Sequence, residues 1–486
     1  MNIDKSLKRV SIAAMALIVI LMININYVQG TQATALQKNK LNARQYQDIF
    51  ARPRGKIYAG GQVLAYSKPV GNGGKNQKYQ RWYNNGNVFF PVTGYFASTG
   101  LTSGIESAYN GLLGGTDKRE SVQSWFDAFV GKKPLGADVY TTIDPKAQAL
   151  AYQAIGNAAK RRSAVVFIEL KTGAIKVAAS YPSFDPNTIS SDQDGTKANA
   201  AFTAQQKLGI TRQGDINKAF NETFPPGSSF KSVVAAAMLQ NGSTESSPVD
   251  TPATATVPGS THQVASDCSV NGTPPLIESF AQSCNTTYAL YGQHNTSAVN
   301  DQATKFGFFK PIQIEPGLNS ASSFFPAAAG PANVFLGSFG QGETRATPLQ
   351  MAMVAAAIGN GGTMMKPYLV QNVKAQDGSD LYTANPAPLG QPISSSSASQ
   401  LQDMMKAVVT RGTAASVLGG QDIAGKTGTA ESGTSLRTLW FVGFAPASAP
   451  KYAFALMVEG VQGGFGATVA GPPAAAIAAK LIADNK

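Results

Sequence analysis

Three short patterns in this 486-residue chain place hydroxyl and amine side chains at spacings that suit acyl transfer through a serine. Ser-x-x-Lys occurs at Ser228–Lys231 and at Ser448–Lys451, Ser-x-Asn at Ser283–Asn285 and at Ser269–Asn271, and Lys-Thr-Gly at Lys426–Gly428 and at Lys171–Gly173. A serine nucleophile that works without histidine needs a lysine able to give up its proton, a second hydroxyl to pass protons on, and a cation for an anionic substrate. The chain has two histidines, His262 and His294, which limits any histidine-based triad. Tripeptides of this kind are common by chance, so the surrounding sequence must choose between each motif and its decoy.

Phe224-Pro225-Pro226-Gly227 opposes helix before Ser228, and Asn241-Gly242 can end one after "KSVVAAAMLQ". The sequence therefore predicts Ser228 in the first turn of a buried helix, with Lys231 on the same face. Burial disfavours the ammonium, so Lys231 can act as base for Ser228, and the helix N-terminus adds N–H donors. The bland alternative is a helix N-cap beside an incidental lysine. Ser448-Ala449-Pro450-Lys451 carries a proline at a strand-to-strand turn. Ser283-Cys284-Asn285 falls inside a predicted helix, Ile277–Tyr291, where helix-end capping is the alternative; Ser269-Val270-Asn271-Gly272 reads as a turn. Lys426-Thr427-Gly428-Thr429 reads as a strand with one exposed edge, Gly428 permitting close backbone approach and Lys426 offering charge to a carboxylate. Lys171-Thr172-Gly173 sits at a predicted hairpin tip, ahead of the serine. Ser228–Lys231, Ser283–Asn285 and Lys426–Gly428, following one another in that chain order, form one joint pattern.

The elements that must position these residues follow from the wider sequence. At about 150 residues per domain the length suggests two or three domains. Apolar residues make up 43% and charged residues 14%, which excludes a disordered chain. The net charge of +12 suits an anionic membrane or wall polymer; no zinc-finger spacing or basic heptad supports nucleic acid, so none is expected as a partner. Two cysteines and two histidines leave little for a metal, and no metal is expected.

Lys5, Lys8 and Arg9 precede the uncharged run Val10–Val28, which is long enough to span a bilayer with a cytoplasmic N-terminus. Ala33-Thr34-Ala35 has the form of a signal-peptidase site but lies late, so the run reads as an uncleaved anchor. Residues beyond about 30 are then extracytoplasmic. A polar region rich in Gly, Asn and Tyr follows, with a predicted helix over Ala33–Phe50 and a strand–turn–strand in "RPRGKIYAGGQVLAYS". A helix capped by Asp144 runs to about Lys160, and Ala164–Ala179 reads as a hairpin. Further helices are predicted at Ser232–Leu239, Thr347–Ile358, Ser399–Val409 (with Ser397 and Gln400 at capping-box spacing) and Pro473–Ala483. Late strands are predicted at Leu439–Phe444 and Tyr452–Glu459. Strands at both ends of the second domain with helices between them imply an α+β sheet built from distant segments.

With these residues in view, the chain resembles the class B penicillin-binding proteins, of the actinobacterial penicillin-binding protein A type. The likeness runs from about 52 to 460 through "RGKIYAGGQVLA", Gly104-Ile105-Glu106, "TTIDPKAQ", "KTGAIKVAASYPSFDPN", "FPPGSSFK", "SCN", "GQGETRATPLQ", "GNGG", "GKTGTAE" and "WFVGFAP". Tyr58-Ala59-Gly60 departs from the Asp-Arg-Asn of many division transpeptidases. The resemblance implies a tail 1–9, an anchor 10–28, a non-catalytic pedestal 30–160 and a transpeptidase domain 161–486 of serine β-lactamase-like fold, with a central antiparallel sheet flanked by helices. It implies that Ser228 attacks a stem peptide ending in D-Ala-D-Ala, that Lys231 takes the serine proton, and that Ser283 relays one to the leaving D-Ala. It further implies that Asn285 bonds the donor peptide, that Lys426 and Thr427 hold the terminal carboxylate or help proton transfer, and that the backbone N–H groups of Ser228 and Thr429 form the oxyanion hole, with Gly428 beside them in the oxyanion and substrate-binding set. No cofactor is implied; β-lactams as inhibitors and wall-synthesis or division proteins as partners are.

The competing functions are a β-lactamase or carboxypeptidase that hydrolyses the acyl-enzyme, a non-catalytic divisome scaffold, and a β-lactam sensor. The intact joint pattern argues against a scaffold, and the short segment Met1–Arg9 against a sensor. Hydrolysis finds its one specific feature in Glu315-Pro316-Gly317-Leu318-Asn319, which has the form of a loop whose glutamate activates a deacylating water. Finally, Cys268 and Cys284 are the only cysteines, in an oxidising compartment, and are expected to pair. Closing a loop of about 15 residues contributes about 3 kcal/mol in the chain-entropy model; the alternative is two separate buried thiols.

Overall fold

The computed structural model describes residues 3–32, 50–70, 77–97, 101–117, 135–159, 161–190, 217–431 and 435–484, together with Ala200 and Thr203. The chain divides into two compact units, one of Met1–Arg52 with Pro69–Tyr79, the other of Pro53–Lys68 with Gln80–Lys486. In the first, the helix Ile3–Tyr27 continues into a π-helical turn, Val28–Gln32. Its Leu7–Gln32 stretch is long and apolar enough to cross a membrane and brackets the expected run Val10–Val28. The helix expected over Ala33–Phe50 lies outside the described residues apart from Phe50.

Two large sheets occur among the described residues. One has five strands, all antiparallel, in the order Ala424–Glu431, Leu436–Ala445, Tyr452–Gln462, Ser163–Glu169 and Ile175–Tyr181. Thr427 faces Phe441, Phe441 faces Leu456, Leu456 faces Val165, and Val165 faces Ala179. The Ser163–Glu169 strand and most of the other inner strands are buried on both faces, so they read as near-continuous apolar runs rather than alternating ones. Pro145–Ala159 and Gly471–Asp484 pack together and on this sheet, and Pro348–Gly359 packs on its three inner strands. The α+β class with a central antiparallel sheet is therefore as expected. Asp144 caps the first of these helices, its Oδ1 accepting from the N–H groups of Lys146 (3.0 Å) and Ala147 (2.9 Å).

Two expectations need correction. The helix expected at Ser399 begins four residues earlier, spanning Ser395–Thr410, with Ser394 rather than Ser397 as its cap. Ser394 Oγ accepts from Ser397 N–H, and Ile393 and Ala398 are both buried at the staple positions. Gln400 instead turns its side-chain oxygen to the N–H of Glu245 (2.8 Å). The helix expected over Ile277–Tyr291 is two helices, Leu276–Ala281 and Asn285–His294, broken at Ser283.

The other large sheet has six strands, in the order Asp380–Thr383, Val370–Lys374, Asp138–Thr141, Ile57–Ala59, Gln62–Val70 and Lys78–Tyr83. Its first two strands come from far along the chain, beyond the residues expected to form the pedestal. Tyr58, at the position that departs from the resemblance, stacks on Tyr140 with ring centroids 4.8 Å apart. Beside this sheet lies a buried charge cluster. Glu106 accepts from Arg54 Nε (3.0 Å) and Nη2 (2.9 Å) and from Arg81 Nε (2.5 Å), with Tyr83 Oη at 3.3 Å. Burial alone would raise the Glu106 carboxyl's pKa, but the two guanidiniums outweigh it and hold it below the ordinary value.

Because both guanidiniums are buried with Glu106 as their shared counter-ion, removing it strands charge inside the protein. Glu106→Ala is expected to cost about 3–5 kcal/mol of stability, read as a shift in the urea midpoint. A wild-type midpoint in that variant would show the cluster to be dispensable.

Candidate active site

The sequence before Ser228 folds into a tight hook. Phe224 exchanges both backbone hydrogen bonds with Ala346 (2.9 Å each), and the Pro225 carbonyl accepts from Trp440 Nε1 (2.8 Å). Gly227 has φ +52°, and a side chain there would put its Cβ 2.6 Å from the Thr429 carbonyl. Only glycine lets the hook lie against the edge strand Ala424–Glu431. The expected first helical turn is a 3₁₀ turn, Gly227–Phe230, followed by the helix Lys231–Gln240, buried from Lys231 to Leu239. In 3₁₀ geometry positions i and i+3 eclipse, which places Ser228 and Lys231 on one side more firmly than an α-turn would.

Lys231 is fully buried. Its Nζ donates to the Ser283 carbonyl (2.6 Å) and to Asn285 Oδ1 (2.7 Å), with Ser283 Oγ at 3.3 Å. Burial pushes its pKa well below the ordinary lysine value, the charge of Lys426 pushes it further, and Asp267 pulls it back up. Lys426, also fully buried, donates to Ser283 Oγ (2.8 Å) and the Thr427 carbonyl (3.2 Å), and burial lowers its pKa to about 7. One hydroxyl thus sits between two amines whose charging burial opposes. The Ser228 hydroxyl is half-buried on the cleft wall and takes part in none of the hydrogen bonds among the described residues. The fold brings Lys231, Ser283, Asn285 and Lys426 into contact and leaves Ser228 beside them.

Ser283 has φ +63°, the left-handed region that a serine rarely occupies. The backbone reverses there, so the Ser283 carbonyl and hydroxyl both reach Lys231 instead of continuing a helix. Its neighbours hold the reversal: Cys284 N–H bonds the Ser279 carbonyl (3.0 Å), Asn285 N–H bonds the Ser266 carbonyl (2.8 Å), and Cys284 is joined to Cys268 by a disulfide. The expected pairing of the two cysteines is therefore present. Asn285 Nδ2 donates to Asp267 Oδ2 (3.0 Å) and the Ala265 carbonyl (3.3 Å), so its whole amide is engaged by protein.

On the strand, Thr427 Oγ1 pairs with Thr413 Oγ1 at 2.7 Å. Gly428 is buried, where a Cβ would lie 2.6 Å from the Pro226 carbonyl, while Thr429 is half-buried on the cleft wall. Ser228, Ser283, Asn285, Thr427 and Thr429 all line one cleft of about 860 Å³. Asp267 and Thr413 also line it and escaped the sequence reading. Asp267 stands directly before Cys268, and its φ of +54° is visible only in three dimensions; no local signal marks Thr413.

The decoys have other partners. Ser448 is held by Asp422 through its N–H (2.8 Å) and hydroxyl (2.5 Å), and Thr172 Oγ1 donates to Glu169 (2.6 Å) in the hairpin turn. Glu315 is buried in a small hairpin with Leu318–Asn319. Its Oε2 accepts from Tyr109 Oη (2.6 Å) and its Oε1 from the N–H groups of Leu369 (2.7 Å) and Val370 (2.8 Å). It does not line the cleft, so the feature that favoured hydrolysis is a structural tie. No group of three or more metal-ligating side chains occurs among the described residues.

Comparison with known proteins agrees with this geometry. Residues 163–483 match the family model described as penicillin binding protein transpeptidase domain, and residues 54–139 match the penicillin binding protein A dimerisation domain. The chain is 36% identical over 468 residues to the peptidoglycan D,D-transpeptidase PbpA of Mycobacterium tuberculosis, covering 94% of each protein. It is 29% identical to the peptidoglycan D,D-transpeptidase MrdA of Acinetobacter baumannii, over 81% of this chain and 65% of that one. Among solved structures, the imipenem acyl-enzyme complex of penicillin-binding protein A from M. tuberculosis matches with TM-score 0.81 at 34% identity, covering 90% of this chain and 100% of that one. The penicillin G acyl-enzyme complex of the same protein matches with TM-score 0.80 at 34% identity, covering 89% and 100%.

The buried lysines make stability depend on pH. Burial brings Lys426 to about 7 in the folded chain, against the ordinary lysine value of 10.5 once unfolded. Between those values the unfolded chain carries a proton that the folded chain lacks, so stability rises with pH across that window and is lower below it. Urea midpoints measured from pH 6.5 to 9.5 are expected to climb for the wild type, with a shallower climb for Lys426→Met. An unchanged slope in the variant would mean that Lys426 is not the titrating group.

Proposed function

The chain belongs to the penicillin-binding protein transpeptidase family, and on that premise we propose a mechanism for it as a peptidoglycan D,D-transpeptidase that crosslinks stem peptides through an acyl-enzyme and is inhibited by β-lactams. The observation that carries the reading is the Ser283 hydroxyl held between two buried lysines beside Ser228. A lysine kept from charging by burial is a base near neutral pH, and a hydroxyl bonded to both amines passes a proton between them.

Ser228 Oγ attacks the carbonyl of the penultimate D-Ala, and its proton goes to neutral Lys231. The backbone N–H groups of Ser228 and Thr429 receive the oxyanion, a contribution of about 3–4 kcal/mol for each donor lost. Ser283 carries the proton from the lysine pair to the departing D-Ala nitrogen. Lys426 with the Thr427–Thr413 pair holds the terminal carboxylate. Asn285, with its amide consumed by Lys231, Asp267 and Ala265, positions the base; Gly428 keeps the strand close under the hook. An amine of a second stem peptide then takes the acyl group and restores the Ser228 hydroxyl.

In the same reading the helix Ile3–Tyr27 anchors the chain, with 1–9 cytoplasmic, 10–28 in the membrane, 30–160 a pedestal and 161–486 the extracytoplasmic transpeptidase domain, in reach of wall-synthesis or division proteins. Engagement of Glu315 by Tyr109, Leu369 and Val370 supports transfer over hydrolysis, because it leaves that carboxylate no water to activate in the cleft.

Mass spectrometry after penicillin treatment is expected to find the adduct on the Ser228 peptide, with none in Ser228→Ala. Lys231→Arg, whose guanidinium stays protonated, should slow acylation by about 10³-fold. An adduct on Ser448, or wild-type acylation in Lys231→Arg, contradicts these roles. The penicilloyl adduct should outlast removal of free drug, and Glu315→Gln should leave its lifetime unchanged; a longer-lived adduct in that variant would restore the hydrolytic reading.

A further inference from the structure

A second cavity, of about 660 Å³, opens at the C-terminal end of the edge strand Ala424–Glu431. Gly342, Glu431 and Arg437 line both this cavity and the Ser228 cleft, so the two meet along a shared wall. Its walls carry four guanidiniums, Arg161, Arg162, Arg345 and Arg437, against two carboxylates, Glu431 and Glu459. Arg162 pairs with Glu222 and with Glu459 (2.6 Å), and Arg437 faces Glu431 at 3.6 Å. The other two are uncommitted to acids. Arg345 Nη1 donates to the backbone carbonyls of Gly342 (2.8 Å) and Thr344 (2.9 Å), and Arg161 is exposed, with no ion pair among the described residues. Nothing in the mechanism above uses this excess positive charge.

The strand gives the cavity a direction. If the substrate's terminal carboxylate lies by Lys426 and Thr427 and its reacting carbonyl by Ser228 and Thr429, the acyl half must continue past Thr429. An extended peptide advances about 3.3 Å per residue along a strand edge, so its next residues pass Glu431 and enter the arginine-lined cavity. The departing D-Ala goes the other way. Guanidiniums with free N–H forks bind carboxylates in two-point contacts.

We propose that this cavity binds a carboxylate carried on the donor stem peptide upstream of the scissile bond, with Arg161 and Arg345 as its ligands. The assignment rests on the D,D-transpeptidase reading. In the acylation step the bond from Ser228 Oγ to the carbonyl carbon forms, the bond to the leaving D-Ala nitrogen breaks, and the serine proton ends on that nitrogen. The cavity takes no part in these changes. It grips the same carboxylate before and during reaction, so it acts on KM and leaves kcat alone.

The test uses the full chain in detergent micelles, with a D-amino acid as acceptor, and follows release of D-Ala from two probes. One is L-Ala-γ-D-Glu-L-Lys-D-Ala-D-Ala with its glutamyl carboxylate free; the other carries that group as the carboxamide. For the wild type the free acid should have about 10-fold lower KM at equal kcat, the size of one charge-assisted pair, and added salt should shrink the difference. Arg161→Gln/Arg345→Gln should bring the two KM values together while penicillin acylates Ser228 at the wild-type rate. Arg161→Lys/Arg345→Lys should keep part of the preference. Equal KM values in the wild type, or a preference that survives the double Gln variant, overturns the proposal. So does a variant that changes only how much acyl-enzyme the amine captures, which would give the cavity to the acceptor. Failure of penicillin to label wild-type Ser228 is a separate result and removes the transpeptidase reading itself.

Discussion

The hydrogen bonds from buried Lys231 to the Ser283 carbonyl and the Asn285 amide oxygen are the constraint on which the rest of the site depends. An amine enclosed by apolar helix cannot leave its N–H groups unpartnered, and these two acceptors lie on a different segment from the lysine. The bonds therefore clamp the Ser283 reversal against the start of the helix Lys231–Gln240. They also consume the Asn285 oxygen, and Asp267 takes the other end of that amide, so its orientation is decided by partners at both ends. Strain at the left-handed Ser283 is sustained because its surroundings over-determine it, as strained residues at reactive sites generally require.

A second constraint is the closeness of the nucleophile hook to the sheet. Gly227 against the Thr429 carbonyl, and Trp440 Nε1 on the Pro225 carbonyl, join the hook to the edge strand and its neighbour. Because the inner strands are buried on both faces, the sheet behind the hook is stiff. Groups placed on rigid elements keep the short hydrogen-bond distances seen among Lys231, Ser283 and Lys426. The same edge strand runs from the Ser228 cleft to the arginine-lined cavity, its Glu431 lining both.

The six-stranded sheet is joined to the rest of its unit by more than chain continuity. The strands Val370–Lys374 and Asp380–Thr383 complete it from late in the sequence, and Glu315 ties Tyr109 to the backbone at Leu369 and Val370. Glu106 is the shared counter-ion of two buried arginines, where loss of one partner costs far more than the pair contributes. Glu315, which looks catalytic in a loop motif, is an internal brace, as is Glu106.

The amino-acid sequence by itself determined the Ser228–Lys231 pair, the order of the three motifs, the apolar N-terminal helix, the helix capped by Asp144, most of the five-stranded sheet and the cysteine pair. Each of these is written in local chemistry: proline and glycine around Ser228, an uncharged run, an Asx cap, apolar strand segments, and a count of two thiols. Tertiary structure alone decided the break at Ser283, which reads as continuous helix because nothing within a few residues forbids it. The break comes from bonds to Lys231, Ser266 and Cys268, all remote in sequence. It alone decided that Asn285 accepts from Lys231, that Thr413 meets Thr427, and that Glu315 is buried away from the cleft. It also chose Ser394 over Ser397 as a cap, since packing of Ile393 outweighs a nearly even choice within a serine run. Local propensity names which residues can do the chemistry; only long-range packing and the need to satisfy buried polar groups say which of them meet.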